Sequence, residues 1–230
     1  MKKVIPFIVA LILFGCGGSS SSSTSSPGSS SDPSPPPSPP STVTLSGVAA
    51  AGSPISGRVY LKDAASHEEF IDTQDGSFTF NVGSFTPPYM LKAQWASGGI
   101  TQTLYSFAPS DGTANITPLT HVAVLLAAGV NDLSPVYSGS GSASFAAIAA
   151  TLPGAISKLR NSLKPLLDQY SADMDPISGV FAADHTGMDK FLDEVSFSYD
   201  SGSVAIRSKA SGALLLHLST TDLGQGLTVM

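Results

Sequence analysis

The chain has 230 residues, a formal net charge of −6 and one cysteine. That acidic balance argues against nucleic acid as a partner, because phosphate neutralisation needs a dense basic surface. A lone cysteine has no second thiol to bridge to, so a folded part must be held by its hydrophobic core.

The N-terminus reads as a secretion signal. Lys2 and Lys3 give a positive start, and Val4 to Phe14 is apolar apart from Pro6. At about 1.5 Å per residue this run falls short of a bilayer core of about 30 Å, but it fits the apolar region of a signal peptide. It ends Leu13-Phe14-Gly15-Cys16, which resembles the lipobox of bacterial lipoproteins, with Phe14 where a small residue is usual. The resemblance implies removal of residues 1–15, a diacylglyceryl thioether on Cys16, and acylation of the new amine by palmitate or a similar chain. Each buried methylene contributes about 0.8 kcal/mol, so two or three acyl chains hold where one is marginal. Gly17 in place of Asp implies, by the sorting logic of that family, the outer membrane, with its periplasmic and surface faces both open. Loss of Lys2 and Lys3 would leave nine basic residues against seventeen acidic, a net charge of −8.

Residues 16–41 are the lipid-bearing Cys16 and a tether, GGSSSSSTSSPGSSSDPSPPPSPPS. With no large apolar residue, nothing offsets the entropy of ordering it. The Gly/Ser half is expected to be a coil and the Pro-rich half stiffer polyproline II.

From residue 42 the pattern turns to short strands. Candidates are 43–48, 58–62, 70–73, 77–82, 89–95 and 101–107. Val59 and Leu61 alternate with Arg58, Tyr60 and Lys62; Phe78, Phe80 and Val82 alternate with Thr79 and Asn81. Asp75-Gly76 is a tight-turn signal. Strands at this spacing predict an antiparallel β-sandwich over residues 42–116. Gly47 to Lys62 and Asp72 to Phe80 resemble the carboxypeptidase regulatory-like domains, which implies an Ig- or transthyretin-like sandwich and leaves function open.

Residues 117–230 are expected to be helical, then to close with a β-hairpin, the whole packing on the sandwich as an α+β fold. Thr117 can cap a helix with Pro118 in its first turn, and Gly129 sits near its stop. A second helix is predicted over 144–152 and a third from Pro153, kinked or split at Pro165. Thr186 can cap a short helix with Asp189 at the capping-box position. Residues 195–200 and 203–207 read as the hairpin, 213–218 as a further strand, and the last residues as a loose tail. Ala114 to Thr120 and Phe181 to Val195, taken with the sandwich, resemble a group of bacterial lipoproteins of unknown function. That likeness spans nearly all of residues 42–218 and implies no activity.

No motif carries chemistry. The four histidines (His67, His121, His185 and His217) lack metal-ligand spacing to one another. Asp173, Asp175 and Asp184 are calcium candidates by clustering alone, without a calcium-loop signature. There is no nucleophile elbow, phosphate loop or dinucleotide fingerprint, so no catalytic residue and no cofactor is expected. Tyr89 and Trp95, six residues apart on one strand candidate, share a face; they could stack on a sugar ring or form a seam against the helices.

The expected protein is therefore a lipid-anchored, exported, non-catalytic module that binds an envelope protein. A glycan-binding module is the alternative and a hydrolase a third. The first predicts an exposed apolar or aromatic patch and no polar cleft. The second predicts exposed aromatics including Trp95, and the third Ser, His and Asp converging in a pocket.

Overall fold

The computed structural model describes residues 42–180, 182–200 and 202–219. The signal, Cys16, the tether and the tail 220–230 lie outside these residues, as do Phe181 and Ser201. The fold is α+β with several antiparallel sheets.

Four strands, β2 (Gly57–Asp63), β3 (Glu68–Thr73), β5 (Tyr89–Ser97) and β6 (Ile100–Ala108), form one antiparallel sheet in the order β3-β2-β5-β6. A second sheet has the order β4-β1-β7, with β1 (Thr44–Val48) antiparallel to β4 (Ser77–Asn81) and parallel to the short β7 (Gly112–Thr113). Register follows the apolar alternation. Val59 lies opposite Ala93 and Leu61 opposite Leu91, all buried, while Tyr60 and Lys92 pair on the other face. Leu45 and Phe80 are opposite each other and buried. Gly47 lies opposite Phe78, and a Cβ there would run into the carbonyl of Ala114.

The helices follow. α1 (Pro118–Ala128) packs between β6 and α3 (Phe145–Gln169), which explains why its sequence is apolar almost all round. Thr117 Oγ1 accepts the N–H of Thr120 and Thr120 Oγ1 accepts the N–H of Thr117, a reciprocal cap. Gly129 closes α1 with a φ of 64°. A five-residue helix α2 (Ser134–Ser138), not expected from the sequence, comes next.

α3 corrects an expectation. Residues 145–169 form one helix that contains both Pro153 and Pro165. Each internal proline costs about 3 kcal/mol. Against that, Ile148, Leu152, Leu159, Leu163 and Leu167 are buried along one side, each contributing about 1.5–3 kcal/mol. The buried stripe outweighs the missing amide donors. After α3 come α4 (Gly187–Glu194) and a third sheet, β10-β9-β8, built from β8 (Val195–Asp200), β9 (Ser203–Ser208) and β10 (Leu214–Ser219). One buried apolar cluster runs from Leu45 through α1, α3 and α4 to Leu218.

Asn115, 2% exposed, joins three segments. Its Oδ1 accepts the N–H of Val48 at 3.1 Å and its Nδ2 donates to Gly179 O at 2.6 Å. Asn115→Ala removes both bonds and leaves two partly buried backbone groups without these partners, at roughly 1 kcal/mol each. Urea denaturation is expected to show a loss of at least ~2 kcal/mol; a variant within ~0.5 kcal/mol of the parent would contradict this role.

Candidate functional site

Where β2 begins and β5 ends, Gly57 lies beside Trp95, and a Cβ at Gly57 would sit 2.9 Å from that of Trp95 and overlap Gln94 O. Glycine is needed there for the close approach, and a shallow cleft of about 520 Å³ lies alongside. Ser56, Arg58, Tyr60, Gln74, Gln94 and Trp95 are among the residues that line it. Trp95 is partly buried, with one side against the core.

Arg58 organises the wall. Its Nε donates to Asp72 Oδ1 at 2.8 Å and its second nitrogen to Asp72 Oδ2 at 3.3 Å, a two-point pair. That hydrogen-bonded pairing holds the Asp72 carboxyl below the usual carboxylate range. The pair is solvent-exposed and contributes little to stability; what it fixes is direction. The guanidinium carbon lies 4.0 Å from the centroid of the Phe70 ring and 6.0 Å from that of Tyr60. Lys92 continues the alternation, its Nζ 3.9 Å from the Tyr60 centroid and 4.2 Å from that of Tyr137. Burial pushes the Lys92 pKa down. The result is a run of rings and cations across the outer face of the four-stranded sheet. Neutral hydrogen-bonding groups stand nearby: Ser56 Oγ donates to Gln74 Oε1 at 3.0 Å, and Gln94 Nε2 to Thr103 Oγ1 at 3.4 Å.

The helices cover the far end of that face. Tyr105 packs on Tyr137 and His121, and Phe107 on Phe145. The seam against the helices is thus made by Tyr105 and Phe107. Tyr89, 2% exposed, is inside the core and is not available to a ligand; Trp95 borders the cleft, but it lies on the Ala93 face of β5, opposite Tyr60 and Gln94, and packs against the core.

The calcium candidates have other partners. Asp173 pairs with Arg160 at 2.8 Å and with Lys164 at 3.2 Å. Asp175 accepts the N–H groups of Ile177 and Ser178 at 2.9 Å each. Asp184 accepts from Thr186 N at 3.0 Å and Thr186 Oγ1 at 2.7 Å, the turn role its sequence position suggests. Thr186 is the cap residue of α4 but its side chain makes no capping bond. Asp189 is not the capping-box partner expected from the sequence: it accepts the N–H of His185, one residue earlier, at 2.8 Å. Among the described residues, the group of metal-ligating atoms that converges is His185, Asp189 and Asp193.

Of the other histidines, His67 is exposed beside Phe85 and His217 is exposed on β10. His121 is largely enclosed by Tyr105 and Tyr199, and its Nδ1 accepts the N–H of Tyr105 at 3.2 Å. The Arg58–Phe70–Tyr60–Lys92 array was not singled out as a site from the sequence. Its signal is present in the alternation that puts Arg58, Tyr60 and Lys62 on one face, but the partners Phe70 and Asp72 come from a neighbouring strand.

Compared with known proteins, the chain matches no family model, no curated protein and no solved structure.

Burial pushes the His121 pKa down to about 4 from an ordinary 6.5. The unfolded chain is then the better proton binder between those values, so stability falls as pH drops from about 6.5 to about 4. His121→Gln is expected to reduce that loss by about 2 kcal/mol, read from urea unfolding at pH 7.5 and 4.5. Equal pH dependence in both proteins would show that His121 is not the group responsible.

Proposed function

We propose that the chain is a lipid-anchored, tethered, non-catalytic module of a bacterial envelope, and that its cleft binds saccharide. The observation that carries this reading is the row of rings, Tyr60 and Phe70, that stands with Arg58, Lys92 and polar side chains on the open part of the outer sheet face, over the shallow cleft. An aromatic face packs against the apolar side of a sugar ring, while Gln74, Gln94 and the Arg58–Asp72 pair are oriented groups for its hydroxyls. The protein-partner reading keeps one observation of its own: Leu214 and Leu215 of β10, an outer strand of its sheet, are 51% and 39% exposed.

Anchoring rests on the N-terminal residues. Lys2, Lys3, the short apolar run and Cys16 support export and lipidation, Gly17 supports the outer membrane, and the Ser/Pro tether supports a spacer that lifts the folded part from the surface. No helix among the described residues is long and apolar enough to cross a membrane. We read the four-stranded and β4-β1-β7 sheets as the two layers of an Ig- or transthyretin-like sandwich of the carboxypeptidase regulatory-like kind. Leu45, Phe78 and Phe80 of one sheet and Val59, Leu61 and Leu91 of the other belong to the same buried cluster, which supports that reading. In the same reading β8 and β9 are the closing hairpin.

Affinity electrophoresis of the mature lipoprotein through gels containing single polysaccharides tests the assignment. Retardation by at least one is expected, weakened ~30-fold, or about 2 kcal/mol, by Tyr60→Ala with circular dichroism unchanged. Retardation unaffected by that change would contradict the cleft. No retardation, with one protein recovered by crosslinking in the native envelope, would favour the protein-partner reading.

A further inference from the structure

The outer face of the four-stranded sheet carries charges that do not balance. Arg58, Lys62 and Lys92 stand on that face of β2 and β5, and β3 sets Asp72 opposite Arg58 and Glu68 opposite Lys62. Two of these three cations are already answered. Arg58 pairs with Asp72 at 2.8 Å, and Lys62 Nζ donates to Tyr137 O at 3.0 Å. Lys92 makes neither an ion pair nor a hydrogen bond among the described residues. Glu68 acts on it through space from beyond ion-pair distance.

Lys92 adjoins the cleft. It lies opposite Tyr60 in register and two residues before Gln94, hence on the same face of β5. Both Tyr60 and Gln94 line the cleft. The Lys92 Nζ, 3.9 Å from the Tyr60 centroid and 4.2 Å from that of Tyr137, is held between two rings and is not sealed from solvent. A charge drawn partway out of water is costly until an anion meets it, and ring faces answer it only in part. The other cations show what is missing. Arg160 and Lys164 take Asp173, Lys190 takes Glu194, and Lys209 Nζ donates to Leu192 O. Lys158 also lacks such a partner, but it is exposed on α3, where water solvates it.

We propose that Lys92 makes the cleft selective for acidic saccharides, its ammonium taking the carboxylate of a uronic acid whose ring lies beside Tyr60. This rests on the saccharide reading and narrows it to one class. A carboxylate supplies Lys92 with the counter-charge and the charge-assisted hydrogen bond that the fold withholds, whereas a neutral hydroxyl supplies no charge. General attraction cannot do the same work, because a chain of net charge −6 repels a polyanion as a whole. Recognition is therefore local to the one cation beside the cleft that the protein leaves without an anion.

The test extends the gels to polygalacturonate and alginate, each beside its carboxyl-reduced neutral form, with the mature lipoprotein. At least one polyuronate is expected to bind at least tenfold more tightly than its reduced form. Lys92→Met, which keeps the stem between the rings, is expected to remove that difference, while Lys92→Arg retains most of it. Lys158→Met, the same loss of charge on α3, is expected to leave binding unchanged, and circular dichroism checks that each variant folds. Equal binding of the acidic and reduced polymers, or preference for the acid retained in Lys92→Met, would overturn the proposal. If neutral polysaccharides alone are retarded, and Tyr60→Ala weakens that retardation, the saccharide reading stands and the acidic selectivity falls. If no polysaccharide is retarded, both fall together.

Discussion

Where the strands give way to the helices, the chain buries Asn115, Thr117 and Thr120 in succession, with Ala114 before them and Ile116 and Leu119 between them. Burying three polar side chains so close together is tolerable only if each finds its partners, and each does. Asn115 holds Val48 on one side and Gly179 on the other, while the two threonines cap α1 from within. Backbone bonds run alongside: Ala114 N to Ser46 O, Ile116 N to Val48 O and Asn115 N to Ile177 O. This junction extends the pairing of β1, sets the start of α1 and pins the turn that leads toward α4. The energetic stake is asymmetric, since a satisfied buried network adds modestly while a broken one leaves orphans of about 1–3 kcal/mol each.

The direction given to α1 has consequences at a distance. Started at Pro118, it lies against β6, and α2 and α3 follow it over the Tyr105 and Phe107 end of the outer sheet face. Lys92 stands at the border, held between Tyr60 on the open side and Tyr137 on the covered side. Beyond it, Arg58 and Phe70 stay within reach of solvent. The cleft is what the helical layer leaves uncovered, and its position follows from where the junction aims the first helix.

Period-two alternation made the strands readable, because Val59/Leu61 and Phe78/Phe80 repeat at the spacing a pleated strand imposes. Thr117-Pro118 and Gly129 marked the ends of α1 for similarly local reasons. Legibility failed where the deciding contact was not local. Pro153 and Pro165 argue for breaks, and only the buried stripe from Ile148 to Leu167 shows why the helix continues. α2, at five residues, is too short to leave a periodic trace. Acidic residues near one another in sequence separated in function: Asp173 took basic partners from α3, Asp175 and Asp184 took turn amides, and Asp189 went inside. The cleft needed the register of β2 with β3 and β5, which places Arg58 opposite both Asp72 and Gln94, and no spacing along the chain encodes that pairing.

The central claim is that the junction makes the strands and helices one cooperative structure. Native-state hydrogen exchange on the mature chain, followed at the amides of Val59, Ala93, Leu125 and Leu163 across a denaturant series, measures it directly. The account predicts that these amides in β2, β5, α1 and α3 converge on one opening free energy, that of global unfolding. Amides of α1 and α3 that open together at a free energy several kcal/mol below those of β2 and β5 would contradict it, because the helices would then come away while the sheet stayed folded.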